Sequence, residues 1–280
     1  MYKIVRKERL NDFVTLMEVN APLIAKKAQP GQFIIFRIDE AGERVPLTIA
    51  DSDAEKGTVT IIFQIVGATT KMLDTLEEGE SILDFAGPLG VPTEFEDAKR
   101  VCVIGGGVGC AIAYPQAKAL SAAGAEVDVI IGFRSKEFVI LEDMFRAVTP
   151  NCYVTTDDGS YSVKGFVTDQ LSSLIEGGRD YDLVIAIGPI PMMKFVSKLT
   201  EQYSLKTIVS LNPIMVDGTG MCGGCRVTVG GKQKFACGDG PDFDGHQVDY
   251  DELMKRNSYY TLIERQRDEN CRLLKVEQNG

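Results

Sequence analysis

A glycine-rich segment with closely spaced sulfur ligands limits what the C-terminal part of this chain can fold around. In the run Asp217-Gly-Thr-Gly-Met-Cys222-Gly-Gly-Cys225, four residues separate Asp217 from Cys222 and two separate Cys222 from Cys225; eleven more precede Cys237. This is the Cys-x4-Cys-x2-Cys…Cys spacing that holds a [2Fe-2S] cluster, with an aspartate in the place of the first thiolate. The pattern predicts Asp217, Cys222, Cys225 and Cys237 as the cluster ligands.

The residues between these ligands favour a loop that wraps tightly around a small inorganic core. Glycine adopts backbone angles that other residues avoid, and four glycines lie among the ligands, namely Gly218, Gly220, Gly223 and Gly224. Val227-Thr-Val and Phe235-Ala flank Gly230-Gly231, which predicts a β-hairpin that returns the chain to Cys237.

A structural zinc site is the main alternative reading of the same cysteines. Cys222, Cys225 and Cys237 with His246, the only histidine, would give a Cys3His set of zinc ligands. The four-residue interval to a carboxylate favours the iron-sulfur cluster. Because aspartate carries the same charge as a thiolate but is a harder donor, we expect the cluster to have an altered reduction potential.

Composition excludes several classes of function. The net charge of −10 argues against binding to nucleic acid or to anionic membranes. A single histidine makes a Ser-His-Asp hydrolase improbable. Seven cysteines, three of them at metal-binding spacing, indicate reduced thiols. No continuous apolar run approaches eighteen residues, and the first residues are typical of a strand rather than of a signal peptide. These features predict a cytoplasmic protein.

The hydrophobic pattern predicts three parts along the chain. Residues 1–98 contain short runs typical of β-strands, which suggests a small β-barrel, with a helix at Thr70 to Leu76. In residues 99–212 apolar strands alternate with helices, as in a doubly wound parallel sheet. Residues 213–280 hold the cysteine segment and a predicted helix from Asp251 to Leu274, so the predicted fold class is α/β plus β-barrel.

A glycine turn after the first strand of the middle part is typical of a site for a dinucleotide. The turn comprises Gly105, Gly106, Gly107, Val108 and Gly109, and a predicted helix follows it. There the backbone can approach a pyrophosphate closely, and the helix N-terminus stabilises its charge. Cys110 occupies the third glycine position of the usual motif, so a simple tight turn is the alternative.

The second strand of the predicted sheet ends without the acidic residue that usually binds the ribose. Arg134 lies there instead, and it can meet a 2′-phosphate or a pyrophosphate, or be solvated. The residues alone therefore leave NAD and NADP both open.

Two short runs in the first part suggest a site for a flavin. Arg44-Val45-Pro46-Leu47-Thr48 lies on a predicted strand, and Gly67-Ala-Thr69-Thr70 opens the short helix. An arginine and a helix N-terminus can bind a diphosphate, and the Thr48 hydroxyl can donate to a flavin ring nitrogen as the candidate catalytic group. A surface arginine beside a capped helix is the alternative. A flavin would convert hydride transfer into one-electron transfer between a nucleotide and a cluster.

With these motifs the whole chain resembles the ferredoxin-NADP reductase superfamily. It is similar to the branch that contains the electron-transfer subunit of dihydroorotate dehydrogenase and the small subunit of NADH-dependent reduced ferredoxin:NADP oxidoreductase, also called sulfide dehydrogenase. The dihydroorotate subunits use four cysteines, whereas the aspartate version resembles the bifurcating transhydrogenase. The runs Ser210-Leu-Asn-Pro-Ile-Met-Val-Asp217 and Phe243-Asp-Gly-His-Gln-Val-Asp also resemble that branch.

The resemblance implies the cofactors and their positions. FAD would place its isoalloxazine against Pro46 to Thr48 and its diphosphate near Arg44, Gly67 and Thr70, although the Arg-x-Tyr-Ser/Thr motif of the superfamily is altered here. NAD(H) would bind at Gly105 to Gly109, in a pocket lined by Asp157-Asp-Gly and by Gly188-Pro-Ile-Pro-Met192-Met.

The resemblance also implies a partner and a function. A large subunit with a second FAD, [4Fe-4S] clusters and NADP(H) would form a heterodimer with this chain, and the complex would use ferredoxin. The expected function is electron transfer between NAD(H), FAD and the [2Fe-2S] cluster in an electron-bifurcating oxidoreductase. The alternatives are a dihydroorotate dehydrogenase relay and, in another class, a zinc-stabilised nucleotide-binding scaffold.

Overall fold

The first part of the chain is a nearly closed antiparallel barrel. In the computed structural model, which describes residues 1–271, the strands of this part follow the order β6-β1-β2-β5-β4-β3-β7. The elements are β1 Tyr2–Asn11, β2 Val14–Asn20, α1 Pro22–Ala25, β3 Phe33–Arg37, β4 Val45–Asp53, β5 Thr58–Gln64, α2 Ala68–Asp74, β6 Ser81–Ile82 and β7 Asp84–Leu89.

Aromatic and β-branched side chains fill the barrel, which is why these runs form strands. Phe36, Phe63 and Phe85 are almost completely buried together with Ile4 and Ile61. Such side chains pack well on a pleated, half-buried surface. Burial of each contributes about 1.5–3 kcal/mol relative to an exposed position.

The prediction of one strand from Ser81 to Phe85 is wrong, because the structure has two strands there, β6 and β7, separated by Leu83. β6 pairs with β1, whereas β7 pairs with β3. Between them the Leu83 amide donates to the Ile38 carbonyl at 3.1 Å. The chain therefore changes neighbours at Leu83, which is how the barrel approaches closure.

The middle part is a parallel sheet covered by helices on both faces. Its strands follow the order β11-β10-β9-β8-β12-β13-β16, all parallel except β16. The elements are β8 Arg100–Gly106, α3 Cys110–Ala122, β9 Glu126–Phe133, α4 Glu142–Val148, β10 Cys152–Thr156, β11 Val163–Lys164, α5 Val167–Glu176, β12 Leu183–Ile187, α6 Ile190–Gln202, β13 Thr207–Ser210 and β16 Asp242–Asp244.

Alternate residues of β8 contact opposite helical layers. Val101 and Val103 pack in the cluster that contains α3 and α4, whereas Cys102 and Ile104 pack with α5 and α6. Because side chains of a strand alternate between faces, a continuous apolar run is needed when both faces are covered. The predicted fold class, a barrel followed by a doubly wound sheet, is confirmed.

The C-terminal part adds a hairpin and two helices to this frame. They are β14 Arg226–Val229, β15 Lys232–Phe235, α7 Tyr250–Asn257 and α8 Thr261–Glu269. The single helix predicted from Asp251 to Leu274 is therefore wrong within the described chain, and its residues 272–274 lie outside the described residues. The Ser258 hydroxyl donates to the Lys255 carbonyl at 2.8 Å, and such a local bond competes with helical hydrogen bonding.

A buried carboxyl group joins the three parts of the chain. Asp242, on β16, accepts a 2.5 Å hydrogen bond from Thr93 after the barrel and a 3.5 Å hydrogen bond from Gln116 on α3. Burial raises the pKa of Asp242 to about 6, although hydrogen bonds from its neighbours favour the charged form. Its other oxygen has no hydrogen-bond partner among residues 1–271.

We expect Asp242→Asn to stabilise the protein at neutral pH. Because the folded-state pKa is raised from 3.8 to about 6, the folded protein holds this proton more tightly than the unfolded chain. The free energy of unfolding therefore falls as pH rises between those two values. At pH 7 the variant should be more stable by about 3 kcal/mol, and the difference should vanish below about pH 4.

Urea unfolding of the parent protein and of Asp242→Asn between about pH 4 and pH 7 measures the difference in the free energy of unfolding. Asp97→Asn, at an exposed position of the preceding connection, is the control and should change little at any pH. A difference in the free energy of unfolding between Asp242→Asn and the parent that does not depend on pH would contradict the expectation.

Candidate functional site

The loop that carries Asp217 and Cys222 lies against the barrel. Gly218 has a φ of +87°, and a Cβ atom there would lie 2.7 Å from Ile35 and 2.8 Å from Leu89. Gly220 and Gly223 also have positive φ, a region that glycine occupies without strain. Only glycine allows this close approach of the loop to β3 and β7.

The hairpin brings two of the three cysteines together. Gly230 and Gly231 have φ values of +57° and +71°, as a type I′ turn requires, and Val229 pairs with Lys232. The register of the hairpin places Cys225 beside Cys237, with their Sγ atoms 3.1 Å apart and both side chains buried. The hairpin predicted from the sequence is confirmed.

Cys222 and Cys237 differ in their electrostatic surroundings. The Gly224 amide lies 3.5 Å from the Cys222 Sγ atom, and backbone N–H groups of Gly224 and Asp217 lower the pKa of this exposed thiol. Burial and the neighbouring Cys225 raise the pKa of Cys237 to about 12. Of Cys222 and Cys237, Cys222 is therefore the one whose surroundings favour the thiolate, the form that binds metal.

The Asp217 carboxylate is held by its own loop. Its Oδ2 atom accepts hydrogen bonds from the Thr219 amide at 2.9 Å and the Thr219 hydroxyl at 2.5 Å. These bonds, with one from the Met221 amide, lower the pKa of Asp217. Asp217 is thus a carboxylate at neutral pH, as a metal ligand must be.

The structure brings the four predicted ligands together only in part. Cys225 and Cys237 are in contact. The charge of Asp217 opposes ionisation of Cys222, and the charge of Cys222 in turn contributes to the raised pKa of Cys237. Within residues 1–271, however, no three His, Cys, Asp or Glu side chains are already grouped as metal ligands. The donor set nevertheless fits an iron-sulfur cluster, because backbone N–H groups point at thiol sulfur in a tight glycine loop.

His246 lies outside this group. Its Nε2 atom is 3.0 Å from the Thr200 hydroxyl, and its backbone amide donates to Asp244. The Cys3His arrangement considered from the sequence is therefore not formed.

The predicted flavin strand borders the cluster loop. Thr48, Leu47 and Pro46 on β4 pair with Phe33, Ile34 and Ile35 of β3, respectively, and they are half-buried. Ile35 is also the residue against which Gly218 packs. A group bound on Pro46 to Thr48 would thus lie on the strand next to the one that supports the cluster loop.

The side chain of Arg44, which precedes β4, contacts the cluster loop, the segment that carries Asp217 and Cys222. Its Nε atom donates to the Val216 carbonyl at 2.8 Å, and its Nη2 atom lies 3.4 Å from the Asp217 carbonyl. The sequence pattern predicted this guanidinium as a diphosphate ligand. In the structure both donor groups instead face backbone oxygens at the predicted cluster site.

The start of α2 is an open turn held by hydroxyl groups. The Thr70 hydroxyl accepts hydrogen bonds from the amides of Val66 and Gly67, each at 3.1 Å. The Thr69 hydroxyl donates to Glu43 at 2.8 Å. A Cβ atom on Gly67 would meet nothing within 4 Å, so there is room beside this turn for a ligand.

The glycine turn after β8 opens a large cleft between β8 and β12. Strand order reverses at this point, which is where open α/β sheets bind their ligands. The cleft has a volume of about 1020 Å³. Its lining includes Gly106, Gly107, Val108, Gly109, Arg134, Asp157, Gly188 and Met192.

Glycines in the cleft have separate physical roles. A Cβ atom on Gly109 would lie 2.5 Å from the Ile187 carbonyl and 2.8 Å from the Gly188 Cα atom, so this glycine allows two loops to touch. Gly107 has a φ of +55°, and a Cβ atom there would point into open space. On Gly105 it would meet Cys110 at 2.9 Å.

The acidic and basic side chains of the cleft lie at strand ends. Arg134 follows β9 and Asp157 follows β10. Burial raises the pKa of Asp157, and the positive charge of Arg134 opposes this rise.

Sequence reasoning missed several other residues of the cleft. Phe166 and Phe195 line it and are 61% and 60% exposed, so two aromatic faces are available to a planar ring. Lys198 on α6 also lines it. Phe195 and Lys198 lie on α6, which follows β12, and Ile187 at the carboxyl end of β12 also lines the cleft. That position in the chain was the available signal for these two residues.

Among residues 1–271, no helix combines the length and the apolar character needed to span a membrane.

Comparisons with known proteins agree on the kind of protein. Residues 212–249 match the iron-sulfur cluster binding domain of dihydroorotate dehydrogenase B. A homolog of the dihydroorotate dehydrogenase B electron transfer subunit from Thermotoga maritima is 46% identical, over 92% of this chain and 91% of that protein. The electron transfer subunit of Shouchella clausii is 37% identical, over 81% of this chain and 88% of that protein.

A solved structure is also similar over nearly its whole length. It is a chain of the NADH-dependent reduced ferredoxin-NADP oxidoreductase, described for its insights into flavin-based electron bifurcation. The TM-score is 0.90 at 45% identity, and the match covers 95% of this chain and 97% of that one.

Proposed function

Because the chain belongs to the family of dihydroorotate dehydrogenase B electron-transfer subunits and their homologs, we propose that it is the NAD(H)-side subunit of an electron-bifurcating NADH-dependent reduced ferredoxin:NADP oxidoreductase. In the coarser sense the chain is an electron-transfer subunit of an FAD- and iron-sulfur-containing oxidoreductase. This agrees with the superfamily resemblance and with the cofactors expected from it.

The aspartate in the ligand pattern carries the proposal. The dihydroorotate branch resembled above uses four cysteines, whereas this chain has Asp217 at the first position. The carboxylate is ionised and lies on a loop that only glycine allows to approach the barrel. The near full-length similarity to the solved oxidoreductase supports the same choice.

The proposed roles of the residues follow from their positions. Asp217, Cys222, Cys225 and Cys237 would hold the cluster, and Val45 to Thr48 with Gly67 to Thr70 would hold FAD. When bound, FAD supplies the conversion between hydride transfer from NAD(H) and single-electron transfer to a cluster. The Thr48 hydroxyl would orient the flavin ring by a hydrogen bond.

The cleft would hold NAD(H). Gly105 to Gly109 would let the pyrophosphate approach the start of α3, and Gly188 and Met192 would border the nicotinamide side. Arg134 and Asp157 would contact the rest of the nucleotide. Phe166 and Phe195 add apolar faces beside it.

The dihydroorotate dehydrogenase relay is the second candidate. It is favoured by the match of residues 212–249 and by the Thermotoga and Shouchella relatives. In both functions this chain would pass electrons between NAD(H) and a partner subunit. The partner is what distinguishes them.

Purification of the tagged chain from its native host tests the proposal. We expect a large subunit that contains a second flavin and [4Fe-4S] clusters to co-purify, and we expect NADP reduction by the complex to require both NADH and reduced ferredoxin. A complex that instead reduces NAD with dihydroorotate, and shows no ferredoxin-dependent activity, would establish the second candidate.

We expect Asp217→Cys to retain a [2Fe-2S] cluster with a changed reduction potential. The charge of the ligand is conserved, but a soft thiolate replaces a hard oxygen donor. Redox titration monitored by EPR measures the change, and Asp239→Cys, which adds a thiol outside the pattern, is the control. An unchanged potential in Asp217→Cys would argue that Asp217 is not a ligand.

A further inference from the structure

We propose that Arg44 is a positioning residue of the [2Fe-2S] site, and that it fixes the backbone of the Asp217 ligand and favours the reduced cluster through its charge. The inference rests on the proposed function, in which Asp217 is a cluster ligand. It replaces the expectation that Arg44 binds the flavin diphosphate.

The guanidinium spans two consecutive peptide carbonyls of the cluster loop. Its Nε atom is 2.8 Å from the Val216 oxygen, and its Nη2 atom is 3.4 Å from the Asp217 oxygen. The planar fork of arginine suits two neighbouring acceptors, whereas lysine offers a single point charge. The contact joins residues 172 positions apart, so it ties the loop directly to the beginning of β4.

A second fixed point holds the same stretch of the loop. Gly218 packs against Ile35 and Leu89 with no room for a Cβ atom. Arg44 donates to the carbonyls of Val216 and Asp217, the two residues before this glycine. The amide of Thr219, the residue after it, donates to the Asp217 carboxylate. The position of Asp217 is therefore determined by the barrel on one side and by the loop on the other.

The neighbouring Glu43 contacts the start of α2, where the diphosphate is expected. Glu43 accepts the hydroxyl of Thr69 at 2.8 Å and forms an ion pair with Arg267 of α8 at 2.5 Å. The side chain that reaches the start of α2 is thus the acidic Glu43. Arg44 instead contacts the cluster loop at Val216 and Asp217.

The charge of Arg44 acts on the cluster ligand. The Nη2 atom of the guanidinium lies 3.4 Å from the Asp217 carbonyl oxygen, so the positive charge lies beside the backbone of this ligand. A cation beside a cluster stabilises the reduced form, which carries one more negative charge, and so raises the reduction potential. Because Arg44 is exposed, salt should weaken this effect.

Arg44→Ala and Arg44→Lys in the full chain test the proposal. The measurements are FAD per chain, iron and acid-labile sulfide per chain, the EPR spectrum after reduction with dithionite, and the midpoint potential. We expect Arg44→Ala to retain both cofactors and to change the EPR spectrum. We also expect the ratio of oxidised to reduced cluster at a given potential to rise about tenfold, which lowers the midpoint potential by about 59 mV for one electron.

Arg44→Lys separates charge from geometry. It should recover most of the potential but keep an altered EPR spectrum, because the charge is restored and the fork is not. Arg6→Ala is the control, since Arg6 is an exposed barrel arginine paired with Glu18, and it should change neither property.

Two results would overturn the proposal. One is loss of FAD from Arg44→Ala with an unchanged cluster spectrum and potential, which would return Arg44 to the diphosphate site. The other is no change in flavin, spectrum or potential, which would make it an ordinary surface residue. A parent protein without any iron-sulfur EPR signal would instead refute the proposed cluster ligands, independently of both variants.

Discussion

Replacing Cys225 with alanine is expected to abolish electron transfer through the cluster and leave reduction of an artificial dye by NADH largely intact. Cys225 is completely buried, and its sulfur lies 3.1 Å from that of Cys237. No other thiol is placed to replace it in the described hairpin. Loss of one of four ligands should remove the cluster, whereas the barrel and the nucleotide cleft are built from other residues.

Iron and sulfide per chain, the EPR spectrum and the two activities measure this outcome. The iron content should fall from about two atoms per chain to near zero, and the dye activity should change less than about threefold, which is less than 1 kcal/mol in the barrier. Cys102→Ala is the matched control, because Cys102 is equally buried but lies in β8. It should keep the iron. Loss of both activities in Cys225→Ala would show that the whole chain depends on the cluster for its fold.

Features set by local sequence were predictable. Gly230-Gly231 between two short β-runs predicted the hairpin, because positive φ at both positions selects the turn and the turn fixes the register. The alternation of apolar strands and helices predicted the doubly wound sheet. Its order then placed Gly105 to Gly109 opposite Gly188 at the switch point.

Features that depend on distant partners were not predictable. Whether the strand at Ser81 continues through Phe85 depends on which neighbours accept its hydrogen bonds, and β6 and β7 have different ones. The break between α7 and α8 has no glycine or proline to mark it. In the same way β16 joins the sheet by pairing with β13, which its three residues do not indicate.

Arg44 shows the same limit within the candidate site. Its place before Pro46 to Thr48 indicated a diphosphate ligand, because a local pattern contains only residues that are close in the sequence. Its partners in the structure, Val216 and Asp217, lie far along the chain. The ligand pattern, by contrast, could be recognised from the sequence, because all four predicted ligands fall within residues 217–237.

A negative charge at Gly107 should weaken the binding of NADH. Gly107 has a φ of +55°, and a side chain there would enter open space in the cleft, where the pyrophosphate is proposed to bind. Asparagine and aspartate both tolerate this backbone region better than other residues with a side chain. The pair Gly107→Asn and Gly107→Asp therefore differs in charge at nearly constant shape and strain.

We expect Gly107→Asn to raise the KM for NADH severalfold and Gly107→Asp to raise it about a hundredfold, or about 2.8 kcal/mol. Two like charges about 4 Å apart repel by about 4 kcal/mol near a protein surface, and salt screens part of this energy. Dye reduction by NADH at low and high salt measures KM, and thermal unfolding checks that both variants fold equally well. If the two variants have the same KM at low salt, the pyrophosphate does not lie beside Gly107, and the cleft binds the nucleotide in another orientation.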